Sequence, residues 1–400
     1  MSFLSFGKKE KQVSLVVDVG NSTITCALVL FNEKELPVFL YISTENIVLN
    51  DVPQASRLID SMISKLDSQL INITKRGFTH KYWSNNSKNI ESAIISFSSP
   101  WFISKTKHIN IANENDFIIS EKFLDNVIDK EEVSFVNELT ANTNDTFEIV
   151  EKNIIHTKIN GYSLTNPIGK KTKNIDAFVC LSAMDRGIVE KVYDSILRYG
   201  HIHKEKIAIH TFPLVAFSVI RDFFSGVNDF LIMDITGDMT DMTLVQDSVI
   251  MQTTTMPSGR NFILRQISKA FDVPIEIAES LLHLYNSEII DDSQKVKMQE
   301  VITQVEKEWA IYFENSLLEI SPTLSLPENL YLMASSDVTP IYNSFLQLSK
   351  VDATASFRKT MNLTNIDENS VKDFCKNESP YRADEFISFV ALFYKKILNL

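Results

Sequence analysis

Glycine is scarce in this chain, with ten in 400 residues. A phosphate cradle made of backbone alone needs glycines close together, so any such cradle here must be lined partly by side chains. Cysteine is scarcer. Cys26, Cys180 and Cys375 are far apart, odd in number and without CxxC or CxxH spacing, which excludes a disulfide framework and reads as reduced thiols in a cytosolic protein. Nowhere does the chain hold the roughly 18–20 uninterrupted apolar residues that cross a bilayer. Basic residues are outnumbered 39 to 51, for a net charge of −12, which argues against broad capture of nucleic acid. The chain also lacks a GxSxG elbow, an HExxH helix and a GxxxxGK loop, leaving the common hydrolase, zincin and Walker classes without support. What is present, 44% hydrophobic and 22% charged residues, suits a globular chain of two to three domains at about 150 residues each.

The N-terminus places Phe3, Leu4 and Phe6 ahead of Lys8, Lys9 and Lys11, the reverse of a secretory signal. It reads as a flexible segment, 1–11, suited to a weak interfacial anchor or a peptide for a partner groove. At the other end, from Ala383 to Leu400, Phe386, Phe389, Val390, Phe393, Ile397 and Leu400 recur at helical spacing. A stripe this apolar predicts a core helix.

The most informative feature is an internal echo. Val17-Asp18-Val19-Gly20-Asn21-Ser22-Thr23-Ile24-Thr25 matches Met233-Asp234-Ile235-Thr236-Gly237-Asp238-Met239-Thr240-Asp241 in kind. Each is an apolar β run, an aspartate and a small polar turn leading into a second β run. A third run follows each, Pro37 to Ser43 and Val249 to Thr255, so each half opens as a β-meander. An aspartate at the end of a buried strand can hold a hydrated cation, while the N–H groups and hydroxyls of the turn face phosphate. Two such loops, one from each half of a duplicated chain, would clamp one phosphate chain.

Between them, Ala55 to Leu70 reads as an amphipathic helix and Ile90 to Phe97 as a strand. From about Phe102 to Met184 comes a different module: a helix after a Ser120 cap, strands through Phe147 to Ile159, the stretch Asn166-Pro-Ile-Gly169, and a strand from Asp176 to Ser182. Arg186 to Tyr199 predicts a helix returning the chain, and Lys206 to His210 begins the approach to the second lobe. Later come helices over Asn261–Phe271, Ile275–Tyr285 and Ser293–Ile320, a strand over Asn329–Met333 and a helix over Pro340–Leu348. His201, His203 and His210 lack acidic or cysteine partners at metal-ligand spacing and read as a solvated loop. Lys170, Lys171 and Lys173 form a basic turn suited to an acidic partner tail or a lipid surface.

Taken together, these motifs resemble the actin-like superfamily, and within it the bacterial cell-division protein FtsA and the type IV pilus assembly protein PilM. Asp18-Val-Gly-Asn-Ser-Thr23 is similar to the first phosphate loop of that family and Asp234-Ile-Thr-Gly-Asp-Met-Thr-Asp241 to the second. Asn166-Pro-Ile-Gly-Lys170 resembles a stretch of FtsA's inserted subdomain, and Met256-Pro-Ser-Gly-Arg-Asn261 with Ile277-Ala-Glu-Ser280 resembles the second-lobe approach to the nucleotide. The resemblance implies an α/β, two-lobed, duplicated ribonuclease H-like fold with an inserted SHS2-type subdomain. Its domains would be 12–100 and 185–210 for the first lobe, 101–184 for the insert and 211–400 for the second lobe. It implies ATP with Mg2+ as cofactor, Asp18 and Asp234 as cation residues, and Gly20, Asn21, Ser22, Thr23, Thr236, Gly237, Asp238, Thr240, Gly259, Arg260, Asn261 and Glu279 as further nucleotide contacts.

The departures matter equally. Thr236 and Asp238 stand where the family has glycines, Leu282 where it often has a lysine, and Leu332-Met-Ala-Ser-Ser336 where it has a glycine pair. A Cβ added at such a place blocks close backbone approach, which implies weak nucleotide binding and little or no hydrolysis. The expected role is a cytoplasmic scaffold at the inner face of the membrane. The leading reading is FtsA-like, with FtsZ as partner and self-association into filaments. The alternative is PilM-like, with inner-membrane pilus proteins as partners, and a third is an active ATPase or sugar-kinase-like enzyme.

Overall fold

The computed structural model describes residues 11–47, 55–141, 143, 145–164, 166–321, 326–348 and 361–398. The N-terminal segment therefore lies, but for Lys11, outside the described residues. β1 (Lys11–Val19), β2 (Thr23–Asn32) and β3 (Val38–Asn46) form the first meander, with Asp18 opposite Thr25. A crossover through α1 (Ala55–Arg76) lays β4 (Ser92–Phe97) parallel to β1.

The chain then leaves this sheet. β5 (Ile103–Ile118), α2 (Glu121–Thr140), β6 (Phe147–Ile159), β7 (Tyr162–Ser163) and β8 (Lys171–Asp185) build a sheet of their own, in the order β5-β8-β6-β7. Ile128 and Phe135 of α2 pack on Val179, Leu181 and Ala183 of β8. Ser120 caps α2 by accepting from the Phe123 amide at 3.1 Å, the cap the sequence indicates. α3 (Arg186–Ser195) and a wider turn through Gly200 return the chain to β9 (Ile207–Thr211), parallel to β4. The predicted Arg186–Tyr199 helix is present over its whole length, with its last turn opened to a wider spacing.

α4 (Phe212–Phe223) leads into the second half, where β10 (Phe230–Ile235), β11 (Thr240–Gln246) and β12 (Val249–Met256) repeat the meander. Helices α5 (Arg260–Phe271), α6 (Ile275–Asn286) and α7 (Asp292–Ile320) precede β13 (Asn329–Ala334), parallel to β10. α8 (Thr339–Leu348), β14 (Asn362–Ile366), α9 (Glu368–Val371), β15 (Lys376–Asn377) and α10 (Glu385–Ile397) follow. The large sheets run β15-β3-β2-β1-β4-β9 and β12-β11-β10-β13-β14. Apart from the two-residue β15, each reads third, second, first, fourth, fifth in its own order of strands. The internal echo is therefore a duplicated fold.

Side chains of β1 alternate between two cores, as a pleated strand covered on both faces requires. Val13, Leu15, Val17 and Val19 face Met62, Leu66, Leu70 and Val192 of α1 and α3. Val16 points the other way, into a core where Phe212, Val215 and Phe217 of α4 and Phe389, Val390 and Tyr394 of α10 lie with Phe230 and Ile232 of the second sheet. Leu231, Met233 and Ile235 face a third core around Trp309, Phe313 and Phe345. The C-terminal helix is core, as its stripe predicts, and Asp384 caps it by accepting from the Ile387 amide at 2.9 Å.

Three differences from the sequence reading have physical causes. β5 was not anticipated, because an edge strand open to solvent carries few apolar residues. The span 211–400 does not stay with the second sheet: β15 pairs with β3 of the first, and α10 packs on β1 and β2 as well as α4. His210 is no loop residue. It lies on β9, its Nδ1 3.0 Å from Oε1 of Glu151, a fully buried carboxylate that also accepts from Ser182 Oγ (2.6 Å), Thr211 N (2.9 Å) and Thr211 Oγ1 (2.8 Å). This network ties the third sheet to the edge of the first, whereas His201 and His203 are exposed as expected.

Candidate functional site

The two hairpin loops meet. In the first, Gly20 N donates to Thr23 O at 2.9 Å, closing the turn that ends β1 and starts β2 at Thr23. In the second, Thr236 N and Oγ1 both donate to Met239 O, at 3.0 and 2.9 Å. Asn21, buried, spans the gap, its Oδ1 accepting from Asp238 N at 3.0 Å. Gly237 lies so close to Ser22 that a Cβ there would fall 2.1 Å from Ser22 Cβ and 2.8 Å from Asn21 Oδ1. Only hydrogen fits.

Gly259 is pressed in the same way. A Cβ on it would lie 2.5 Å from the carbonyl oxygens of Thr236 and Gly237. Those carbonyls accept from the first amides of α5, Arg260 N at 2.9 Å and Asn261 N at 2.7 Å. A helix N-terminus is an anion site because its first N–H groups lack partners, and here the second loop supplies them. Side chains continue the pattern. Asp238 holds the Arg265 guanidinium and accepts from Asn261 Nδ2 at 3.3 Å. Arg260 is gripped by Asp337 at 2.7 Å and by Glu279. Asp337 sits just beyond the Leu332–Ser336 stretch and also accepts from Ser335 Oγ at 2.6 Å. Thr240 Oγ1 donates to Ser258 O at 2.5 Å.

Beneath the loops, residues that follow β4 reach into the second lobe. Ser98 Oγ donates to Asp234 Oδ2 at 3.5 Å, Ser99 N to Asp241 Oδ2 at 3.1 Å, and Ser99 Oγ lies 3.0 Å from Thr255 Oγ1. Thr255 in turn donates to Asp241 Oδ1 at 2.6 Å, and the Trp101 indole donates to Gly20 O at 2.9 Å. Asp18 and Asp234 are both buried, and each keeps one carboxylate oxygen, Oδ1, without a partner. Burial pushes the Asp18 carboxyl well above the usual carboxylate range, helped by the charge of Asp384. Burial does the same at Asp234, where Asp241 and Asp18 add repulsion.

The structure thus brings the sequence-predicted residues together, Glu279 through its bond to Arg260. Sequence reasoning missed Ser98, Ser99, Trp101, Asp241, Arg265 and Asp337, whose partners lie far off in sequence. Spare oxygens on Asp18 and Asp234 suit a hydrated divalent cation, which a protein holds through one or two carboxylates with water and phosphate completing the shell. Among the described residues, no three or more His, Cys, Asp or Glu are grouped to hold a metal ion by themselves. A nucleotide's phosphates do not fit between the loops as they stand, because Ser22 meets Gly237 and the amides of Asp238, Arg260 and Asn261 are already bonded.

No protein-family model matches the chain, and no curated protein does either. Solved structures do. The chain is similar to a protein in the PilM-PilN type IV pilus biogenesis complex at 13% identity and a TM-score of 0.60, covering 96% of this chain and 98% of that one. It is also similar to the ethanolamine utilization protein EutJ from Carboxydothermus hydrogenoformans (12% identity, 96% and 90% covered, TM-score 0.46). A Bacteroides thetaiotaomicron protein with an actin-like ATPase fold and unknown function matches at 8% identity, 98% of each chain and a TM-score of 0.43. The fold is actin-like. In this actin-like body the duplicated sheets put the loops of β1–β2 and β10–β11 face to face. No helix among the described residues is long and apolar enough to cross a membrane.

Proposed function

We propose that this chain is a PilM-like scaffold, working at the cytoplasmic face of the inner membrane and taking the cytoplasmic segment of an inner-membrane partner on its inserted, SHS2-type subdomain. The observation that carries the reading is the end-to-end likeness of fold to the pilus protein, across 96% of this chain and 98% of that one. It displaces the FtsA-like reading as the first choice.

The third sheet offers a place for the partner. At its β6–β7 edge, Ile159, Tyr162, Ser163 and Leu164 line a shallow groove that ends at Lys170 and Lys171. Tyr162 is 80% exposed. The groove is shaped by the Asn166–Lys170 turn: Ile168 N donates to Asn166 Oδ1 at 3.0 Å, and Lys170 N to Pro167 O at 3.1 Å. Gly169 takes φ +79°, the left-handed position that makes this turn a glycine site. An extended peptide with an apolar side chain beside Tyr162 and an acidic group near the lysines fits this chemistry.

ATP with Mg2+, for which Asp18 and Asp234 would be the cation's residues, is no part of this reading, since phosphates do not fit between the loops as they stand. The division-scaffold reading, with FtsZ as partner and filaments of the chain itself, is favoured by the Asn166-Pro-Ile-Gly-Lys170 turn alone. Affinity purification from the native cell after crosslinking separates the two. Inner-membrane pilus proteins crosslinked through Lys170, Lys171 or Lys173 are the expected catch. Recovery of FtsZ without pilus proteins would overturn the proposal.

A further inference from the structure

We propose that the two lobes are held shut by the chain's own side chains, which take the places a bound nucleotide would fill between the hairpin loops. This inference concerns the cleft alone and stands or falls independently of the pilus reading.

The substitution can be followed group by group. Asn21 Oδ1 receives the Asp238 amide as a phosphate oxygen would. The carbonyls of Thr236 and Gly237 take the first amides of α5, removing the helix end as an anion site. Ser22 packs against Gly237 so closely that a Cβ on that glycine would fall 2.1 Å from the Ser22 Cβ, leaving no room for a group between the loops. Arg260, the cation at the start of α5, is neutralised by Asp337 and Glu279. Arg265 and Asn261 fix Asp238, one of the two side chains that replace family glycines.

Four contacts cross between the lobes here: Asn21 with Asp238, Ser98 with Asp234, Ser99 with Asp241, and Ser99 with Thr255. Each joins the first lobe to the second directly, protein atom to protein atom. In an ordinary two-lobed nucleotide site, the ligand's differential affinity for the closed state sets the closed population. A chain that makes those contacts internally closes without the ligand, and a ligand with nothing to add shifts nothing.

Hydrogen exchange of the full chain, with and without millimolar ATP and Mg2+, tests this. Amides of residues 19–23 and 236–241 are expected to be protected without nucleotide and unchanged by it. Asn21→Ala removes one bridge and is expected to speed exchange at the Asp238 amide about fivefold to tenfold, the effect of one hydrogen bond, while amides of the third sheet stay protected. Should that variant fail to fold, Ser99→Ala, which removes the Ser99 Oγ–Thr255 Oγ1 bridge and leaves the Ser99 amide on Asp241, is expected to speed exchange around Thr255 in the same way. Added protection of both loops by ATP and Mg2+ would overturn the inference. So would unchanged exchange near the removed bridge in a folded variant.

Discussion

Burial raises the carboxyl pKa of Asp18, Asp234 and Asp241, and repulsion among neighbouring acids adds to it at the first two. Glu385, at the start of α10, is pushed up to about 8 by burial and then by Asp384. An acid whose pKa rises on folding contributes stability that is fully present below its unfolded value and lost as pH climbs through its folded value. Melting temperature is therefore expected to fall between an ordinary carboxylate pKa of about 4 and pH 8. Asp234→Asn, which has no charge to bury, is expected to flatten that fall and to add roughly 1–3 kcal/mol at pH 8. Melting curves across this range check it; a variant that loses stability at every pH would contradict it. The aspartates were legible in the sequence because each ends an apolar run before a polar turn. Their companions were not. Asp337 and Ser99 act across the fold, and Glu151 meets His210 from another sheet, so no local pattern announces them.

Among the elements, the two hairpins and α10 place the cleft. Gly237→Ala sets a Cβ against the fixed backbone-proximal atoms of Ser22, so about 1–3 kcal/mol of destabilisation is expected from overpacking. Gly20→Ala meets ordinary contacts at 3.4 Å and is expected to cost less. Urea unfolding midpoints compare them, and equal costs would count against the tight loop contact. α10 packs on β1, β2 and β4 of the first sheet and on α4, with Phe389 fully buried and its ring edge-on to Phe223. Phe389→Ala is expected to cost about 3–5 kcal/mol, whereas Ile118→Ala, at an exposed end of β5, is expected to fall within about 0.5 kcal/mol; the same unfolding curves decide. Helices with strong stripes and caps, α2 and α10 among them, were readable because local signals and packing agree. β5 was not, because its residues alternate weakly and much of its partner contact is backbone.

At the scale of the whole molecule, duplication is what the sequence carries most plainly, since both lobes begin with the same meander and aspartate. Which lobe the end of the chain joins was invisible, because β15 is two residues long and its pairing with β3 spans most of the chain. The cleft's closure was half legible. Threonine and aspartate in glycine positions signalled a poor phosphate cradle, but not that Asn21, Arg260 and Asp337 would fill it. The inserted sheet carries the groove beside Tyr162 that the proposed function assigns to a partner's peptide. If the groove takes the partner, Tyr162→Ala is expected to lower recovery of crosslinked partner about tenfold, the loss of one aromatic anchor, while the melting temperature is unchanged; full recovery would remove the groove from the account.

The proposed scaffold acts by binding partners and not by nucleotide chemistry. Isothermal titration of the purified chain with ATP and Mg2+, alongside a phosphate-release assay, addresses it most directly. Little or no binding heat and no phosphate above background is expected. Stoichiometric binding with turnover would contradict it.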